Sequence, residues 1–215
     1  RGARAAGMDV TAMVSEVGTD SDGYSRYTPL MVATNKTIID ILFGNLFDGK
    51  PINANTLTDV YKKEFPKGTP LVCACEKGRV EDVEGMIRGA RAAGMDVTAM
   101  VSEVGIDSGD YSRTPLMAAA RYEHSTIIEI LLQYNADTAT TNEDGFNALH
   151  YAADNNKTTT TIVQLLLNNM KLEDINHKDR YGDTPLDDCY RNNSSIKQQL
   201  IDLIRQKGGK RGSEL

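Results

Sequence analysis

Residues 1–18, RGARAAGMDVTAMVSEVG, recur unchanged as residues 88–105 of the same chain. The match continues with small gaps, TDSDGYSRYTPLM (19–31) against IDSGDYSRTPLM (106–117), so a unit of about 87 residues occurs twice. A chain that repeats itself on this scale folds by stacking similar units, each contacting its neighbours, and not around one central core. A shorter period runs inside the unit, marked by a Thr-Pro-Leu triplet or a variant of it. The triplets are Thr28-Pro29-Leu30, Thr69-Pro70-Leu71, Thr114-Pro115-Leu116, Asn147-Ala148-Leu149 and Thr184-Pro185-Leu186, at steps of 41, 45, 33 and 37 residues.

Each triplet reads as the start of a helix. The Thr caps free N–H groups, Pro fits the first turn, and Leu opens the buried face. Small residues follow, as in Met117-Ala118-Ala119-Ala120, and let neighbouring helices approach closely. A second amphipathic helix comes next: in residues 126–134 the apolar side chains Ile127, Ile128, Ile130, Leu131 and Leu132 share one broad face. Asn135-Ala136-Asp137 ends it, and Glu143-Asp144-Gly145 signals a tight turn. A unit of helix, helix and turn cannot bury its own apolar face, so it must stack.

The stretch TPLMAAARYEHSTIIEILLQYNADTATTNEDG (114–145), with its 33-residue step to the next triplet, resembles an ankyrin repeat. The unit from Asn147 looks like another with four extra residues, and residues 182–206 look like a C-terminal cap. The resemblance implies an all-α, ankyrin-type α-solenoid of helix-turn-helix repeats with hairpin-like turns. It would span residues 1–207: a partial repeat over 1–26, repeats starting near 27, 68, 113 and 146, and a capping repeat over 182–207. Residues 208–215 would form a flexible tail. In the repeat from Thr69, Gly78 to Gly94 spans 16 residues, more than the family pattern, which implies an extra turn in its second helix. The rest of that insertion falls between Val97 and Thr114. The repeat from Thr28 is shortened between its two helices and carries an irregular segment from Phe47 to Pro66. By alignment Arg1 lies within a second helix. The chain is therefore expected to be a fragment of a longer array, with Ala5, Met8 and Val10 on a partly uncovered face.

Composition and motifs argue against catalysis. The net charge of −6 opposes bulk attraction to nucleic acid, and no run of apolar residues reaches the length of a membrane span. Cys73, Cys75 and Cys189 have neither disulfide-scaffold nor zinc spacing, and they fall where other repeats carry Ala, so they read as packing residues. Free thiols suit a reducing compartment, and a cytoplasmic or nuclear location is expected. His150 matches the family's turn-fixing histidine, His124 matches the start of a second helix, and His177 lies in a turn. Asp187 and Asp188 are helix neighbours that point to different faces, and Asp183 reads as a capping aid for Thr184. No catalytic residue, metal site or cofactor is expected, nor a nucleic-acid or membrane partner, and the array is expected to be a monomer.

The resemblance places a partner-binding face on the hairpin tips and the exposed positions of the first helices. Its candidates are Tyr111, Arg113, Arg121 and Tyr122 in one repeat, then Glu143, Phe146, Asp154 and Asn155 in the next. The cap adds Lys178, Arg180, Asp183 and Arg191. Tyr and Arg dominate interface hot spots, which puts Arg121-Tyr122 first. The duplicated half retains Tyr24 and Arg26 but has Thr34-Asn35 in place of Arg121-Tyr122, so the halves should differ in binding. The leading reading is a scaffold or adaptor that binds a protein. A rival is a substrate-recruiting region of a longer enzyme or signalling protein. A third reading, a nucleotide stacked on Tyr122 and Phe146, is opposed by the nearby acids Glu143 and Asp154.

Overall fold

A computed structural model describes residues 69–92 and 94–215, together with the backbone of 18–19 and 26–27. The partial repeat over 1–26, the repeat from 27, the segment Phe47 to Pro66 and the face of Ala5, Met8 and Val10 lie outside the described residues, apart from one short hairpin. In that hairpin β1 (Gly18–Thr19) pairs antiparallel with β2 (Arg26–Tyr27).

From Thr69 onward short first helices alternate with longer second helices. α1 (Pro70–Glu76) is followed by α2 (Val80–Ala92), then by the short α3 (Val97–Ser102). An antiparallel hairpin of β3 (Gly105–Ile106) and β4 (Ser112–Arg113) leads into α4 (Pro115–Arg121) and α5 (Ser125–Gln133). The next pair is α6 (Ala148–Asp154) and α7 (Thr160–Asn169), followed by the single turn α8 (Leu172–Ile175). The last is α9 (Pro185–Arg191) and α10 (Lys197–Gln206), with a 3₁₀ turn at Gly212–Glu214. At 13 residues α2 exceeds α5 by four, the extra turn that the spacing from Gly78 to Gly94 implies. The remaining insertion before Thr114 becomes α3 and the β3–β4 hairpin.

The four triplets among the described residues begin four first helices, but their leading residues do different work. Thr114 Oγ1 accepts the Met117 N–H at 3.2 Å, and Asn147 Oδ1 accepts those of Leu149 and His150 at 3.0 and 3.2 Å. Thr69 and Thr184 depart from the capping expectation. Thr69 Oγ1 accepts the Ile106 N–H of β3 at 3.1 Å, and the Thr184 hydroxyl donates to the Lys210 carbonyl at 2.7 Å. In both, a segment packed against the helix start takes the hydroxyl away from the cap.

The first helices stand in a row, α1 on α4 on α6 on α9, and the second helices form a parallel row behind them. Close approach is possible because the facing side chains are small: Ala118, Ala119 and Ala120 of α4 and Ala152 and Ala153 of α6 have no exposed surface. Behind them Ile127, Ile128 and Leu131 of α5, Ile162 and Leu166 of α7, and Leu200 and Ile204 of α10 make one continuous apolar core. Cys73, Cys75 and Cys189 are buried in the first-helix row, where they fill alanine-sized positions.

Polar latches join successive first helices. His124 Nε2 meets the Glu76 carbonyl at 3.0 Å, and its ring lies over Gly78, where a Cβ would come within 2.5 Å of it. Gly78 also has φ +68°, so side-chain size and backbone conformation both require glycine there. Asn155 Nδ2 donates to the Arg121 carbonyl at 2.6 Å, and Asn192 Nδ2 to the Ala153 carbonyl at 2.7 Å. These bonds satisfy carbonyls at helix ends, where no partner within the helix is available.

Residues 208–215, expected as a flexible tail, fold back on the last repeat. Asn176 Nδ2 donates to the Gly208 carbonyl, the Gly212 N–H reaches Asp187 Oδ2 at 2.7 Å, and Glu214 receives both arms of Arg205 at 2.6 and 2.7 Å. Within this segment Arg211 is held by the Asp187 carboxylate at 2.7 Å. Among the described residues no helix is long and apolar enough to cross a membrane.

Ala119→Leu should overpack the α1–α4–α6 row and destabilise the array by about 1–3 kcal/mol. Urea denaturation checks this, and an unchanged midpoint would show that the first helices have slack between them.

Candidate interaction surface

One side chain organises each of the three hairpin turns among the described residues. Asp107 Oδ1 accepts the N–H groups of Gly109 and Tyr111, Asn142 Oδ1 those of Asp144 and Phe146, and Asp179 Oδ1 those of Tyr181 and Asp183, at 2.8–3.1 Å. The same pattern, two and four residues on, recurs in all three turns. It fixes where Tyr111, Phe146 and Tyr181 leave the backbone. Adjacent hairpins are tied by the Arg180 N–H to the Asp144 carbonyl at 2.9 Å and by Ser112 Oγ to Glu143 Oε1 at 3.0 Å.

The hairpin ahead of α4 and the helices α4 and α6 bring five side chains into an alternating ladder. Arg113 lies with its Cζ 4.9 Å from the Tyr111 ring centre and 5.0 Å from that of Tyr151. Arg121 follows, 5.8 Å from Tyr151 and 5.9 Å from Tyr122. The order Tyr111–Arg113–Tyr151–Arg121–Tyr122 thus crosses from one repeat to the next through cation–π contacts, which stiffen long side chains. Its outer rings are open to solvent, Tyr111 62% and Tyr122 40% exposed. Asn142 Nδ2 holds the Tyr151 hydroxyl at 3.0 Å, and the Phe146 ring lies 5.8 Å away.

The remaining expected residues divide between surface and interior. Arg113 is a correction: it is buried at 4% exposure, with its guanidinium against the Asp107 carboxylate, because a charge enclosed between two rings must carry its counter-ion with it. Asn155 is half-buried and engaged with the Arg121 carbonyl and Glu123, so its amide serves the stack. Phe146 is half-buried with its ring 5.5 Å from that of His150. Arg121, Tyr122, Glu143, Asp154, Lys178, Arg180 and Arg191 are exposed. Arg180 pairs with Asp144 at 2.5 Å and stacks on Tyr181, and Arg191 pairs with Asp183 at 2.6 Å and with Asp188. Asp183 therefore holds Arg191, while Asp187 accepts the Thr184 N–H, the capping role that the sequence reading gave to Asp183.

Sequence reasoning missed Tyr151, the ladder's centre. A signal existed: the fourth position after each triplet's first residue holds Val32, Cys73, Ala118, Tyr151 and Asp188, and only one of these is a large ring. Tyr181 and Tyr190, 67% and 39% exposed, were also passed over, each with an arginine stacked on it, Arg180 and Arg211.

The titratable interior is structural in character. The His150 Nδ1 accepts the Asn147 N–H at 3.2 Å while its Nε2 faces the Asp183 carbonyl at 3.4 Å, an arrangement that suits the neutral ring. Burial accordingly pulls its pKa down to about 4. Burial pushes all three thiols up, Cys189 to about 12, which suppresses the thiolate needed for nucleophilic or metal chemistry. Asp187 and Asp188 diverge. Burial opposes ionisation of Asp187, but hydrogen bonds from the Gly212 N–H, Arg211 and Thr184 outweigh it and hold the carboxyl at about 2. Burial raises Asp188 to about 7 against the pull of Arg191, with Asp154 and Asp179 adding repulsion. Asp188 Oδ2 is buried without a hydrogen-bond partner. Among the described residues no three His, Cys, Asp or Glu side chains are grouped to hold a metal ion.

The family model described as ankyrin repeats (3 copies) matches residues 53–142, 93–179 and 135–208. Palmitoyltransferase AKR1 of Lachancea kluyveri is 33% identical over 84 residues, covering 39% of this chain and 11% of that protein. The probable palmitoyltransferase AKR2 of Saccharomyces uvarum is 48% identical over 52 residues, 24% of this chain and 7% of that protein. The chain thus spans only about a tenth of the length of these curated relatives.

Asp188 carries a pH signature. Its folded pKa, about 7, lies above the unfolded value, so the folded state binds the extra proton and Asp188 favours folding most at low pH. That contribution fades as pH rises from about 4 to 7, by no more than about 4 kcal/mol. His150 acts oppositely, losing its contribution as pH falls from 6.5 toward about 4. Asp188→Asn should therefore gain stability relative to the parent chain between pH 4.5 and pH 8, read from urea midpoints at the two values. A constant difference would show that Asp188 stays ionised throughout.

Proposed function

This chain belongs to the ankyrin-repeat family, and from that premise we propose that it is a non-catalytic module that binds a protein partner through its hairpin and first-helix face. The observation that carries the reading is the Tyr111–Arg113–Tyr151–Arg121–Tyr122 ladder. It presents solvent-exposed aromatic faces and a cation on a rigid support, and rigid aromatic and arginine side chains lose little entropy when a partner covers them. The buried thiols support a reducing compartment, cytoplasmic or nuclear.

A second reading rests on the relatives' names. Both are described as palmitoyltransferases, and only about a tenth of either is matched. On that reading the array recruits substrates for a catalytic domain encoded elsewhere in a longer chain. The full reading frame tests it: a catalytic domain in the same frame supports recruitment, and a frame holding repeats alone returns the weight to a free-standing scaffold.

The double variant Arg121→Ala/Tyr122→Ala should lose at least tenfold in affinity for a partner captured by the parent chain, while its melting temperature stays within a few degrees. Unchanged affinity would remove the ladder from the binding face, and loss of the fold would make the pair structural.

A further inference from the structure

The arginines beside the ladder are not equivalent. Arg113, Arg180 and Arg191 already hold Asp107, Asp144 and Asp183. Arg121 is exposed, and its Cζ lies 5.9 Å from the ring centre of Tyr122 and 5.8 Å from that of Tyr151. Among the described residues no carboxylate and no other hydrogen-bond acceptor meets its guanidinium. Ring faces stabilise a cation but leave its N–H donors open, and five donors in a planar fork match the paired oxygens of a carboxylate or a phosphate. Tyr122 on one side and Tyr111 further along the ladder offer apolar surface to whatever flanks that carboxylate.

We propose that Arg121, braced between Tyr122 and Tyr151, receives the side-chain carboxylate of an Asp or Glu in a peptide segment of the partner protein, with an apolar neighbour of that residue lying on the exposed tyrosines. The proposal rests on the protein-binding reading above and narrows it to the partner's chemistry. Charge complementarity selects the occupant: the one exposed guanidinium of the ladder is also the one whose charge is not met by a carboxylate of the fold. The surrounding acids limit the anion to a single charge. Glu143 and Asp154 are exposed on the same repeat pair, and the chain carries a net −6, so a dianionic phosphate meets more repulsion here than a lone carboxylate does. The ring contacts hold Arg121 before the partner arrives, so little side-chain freedom is lost on pairing.

A peptide library displayed with its C-termini blocked, selected on the full 215-residue chain, tests the proposal. The enriched sequences should share an Asp or Glu beside an apolar residue. A synthetic acetylated and amidated peptide from that set, followed by fluorescence anisotropy, should bind at least tenfold more weakly when its acid becomes Asn or Gln. Arg121→Gln should cost as much, and both changes together no more than either alone, with Arg121→Lys losing less. Additive losses, or full binding by Arg121→Gln, would overturn the carboxylate pairing. So would enriched peptides without an acid, and they would leave the protein-binding reading standing. A library that yields no binder counts against both. Should Arg121→Gln melt early, Arg121→Lys combined with the peptide's own amide change reads the same coupling.

Discussion

Everything in this array depends on the burial of short helices by their neighbours. A helix of seven residues does not persist in water by itself, because nucleation costs more than so few backbone bonds return. α4 exists because α1, α5 and α6 pack on it and bury Leu116, Met117 and its three alanines. The same dependence explains the small side chains of the first-helix row: each helix touches two partners at once, and bulk on either side would part the stack. It also explains why the second helices vary in length while the first helices do not. α2 runs four residues past the length of α5.

The binding face inherits its rigidity from this packing. Tyr151 leaves α6 toward α4, and its two arginines reach it from the preceding repeat. The ladder is therefore assembled only when two units are docked, and its geometry reports the interface between them. Asp107 serves this arrangement twice, shaping the hairpin with one oxygen and neutralising Arg113 with the other.

Much of the fold was legible from spacing. The triplets located every first helix among the described residues, and the count from Gly78 to Gly94 anticipated the longer α2. The expected caps form at Thr114 and Asn147 but not at Thr69 or Thr184, because whether a hydroxyl turns inward to its own helix or outward to a packed segment depends on tertiary neighbours that spacing does not encode. Residues 208–215 were misjudged for the same reason: a short polar run looks solvated until Asp187 and Arg205 are known to face it. At the candidate site, exposure was well read for Arg121 and Tyr122 and missed for Arg113, whose burial requires Asp107 seven residues before Thr114 to fold beneath it. Asp187 and Asp188, adjacent and chemically alike, titrate far apart because donors outweigh burial at Asp187, whereas burial, with repulsion from Asp154 and Asp179, outweighs Arg191 at Asp188.

The latches between first helices all run the same way. His124, Asn155 and Asn192 each reach backward, from the later repeat to a carbonyl at the end of the earlier helix. The stack is therefore polar in the sense that a one-way street is. At these three latches, taking a repeat from the leading side frees side-chain donors, which can rotate into water. Taking one from the trailing side strips partners from backbone carbonyls that cannot turn away. The two ends of the array are thus unequal as sites for opening, for truncation, and for the order in which repeats come together.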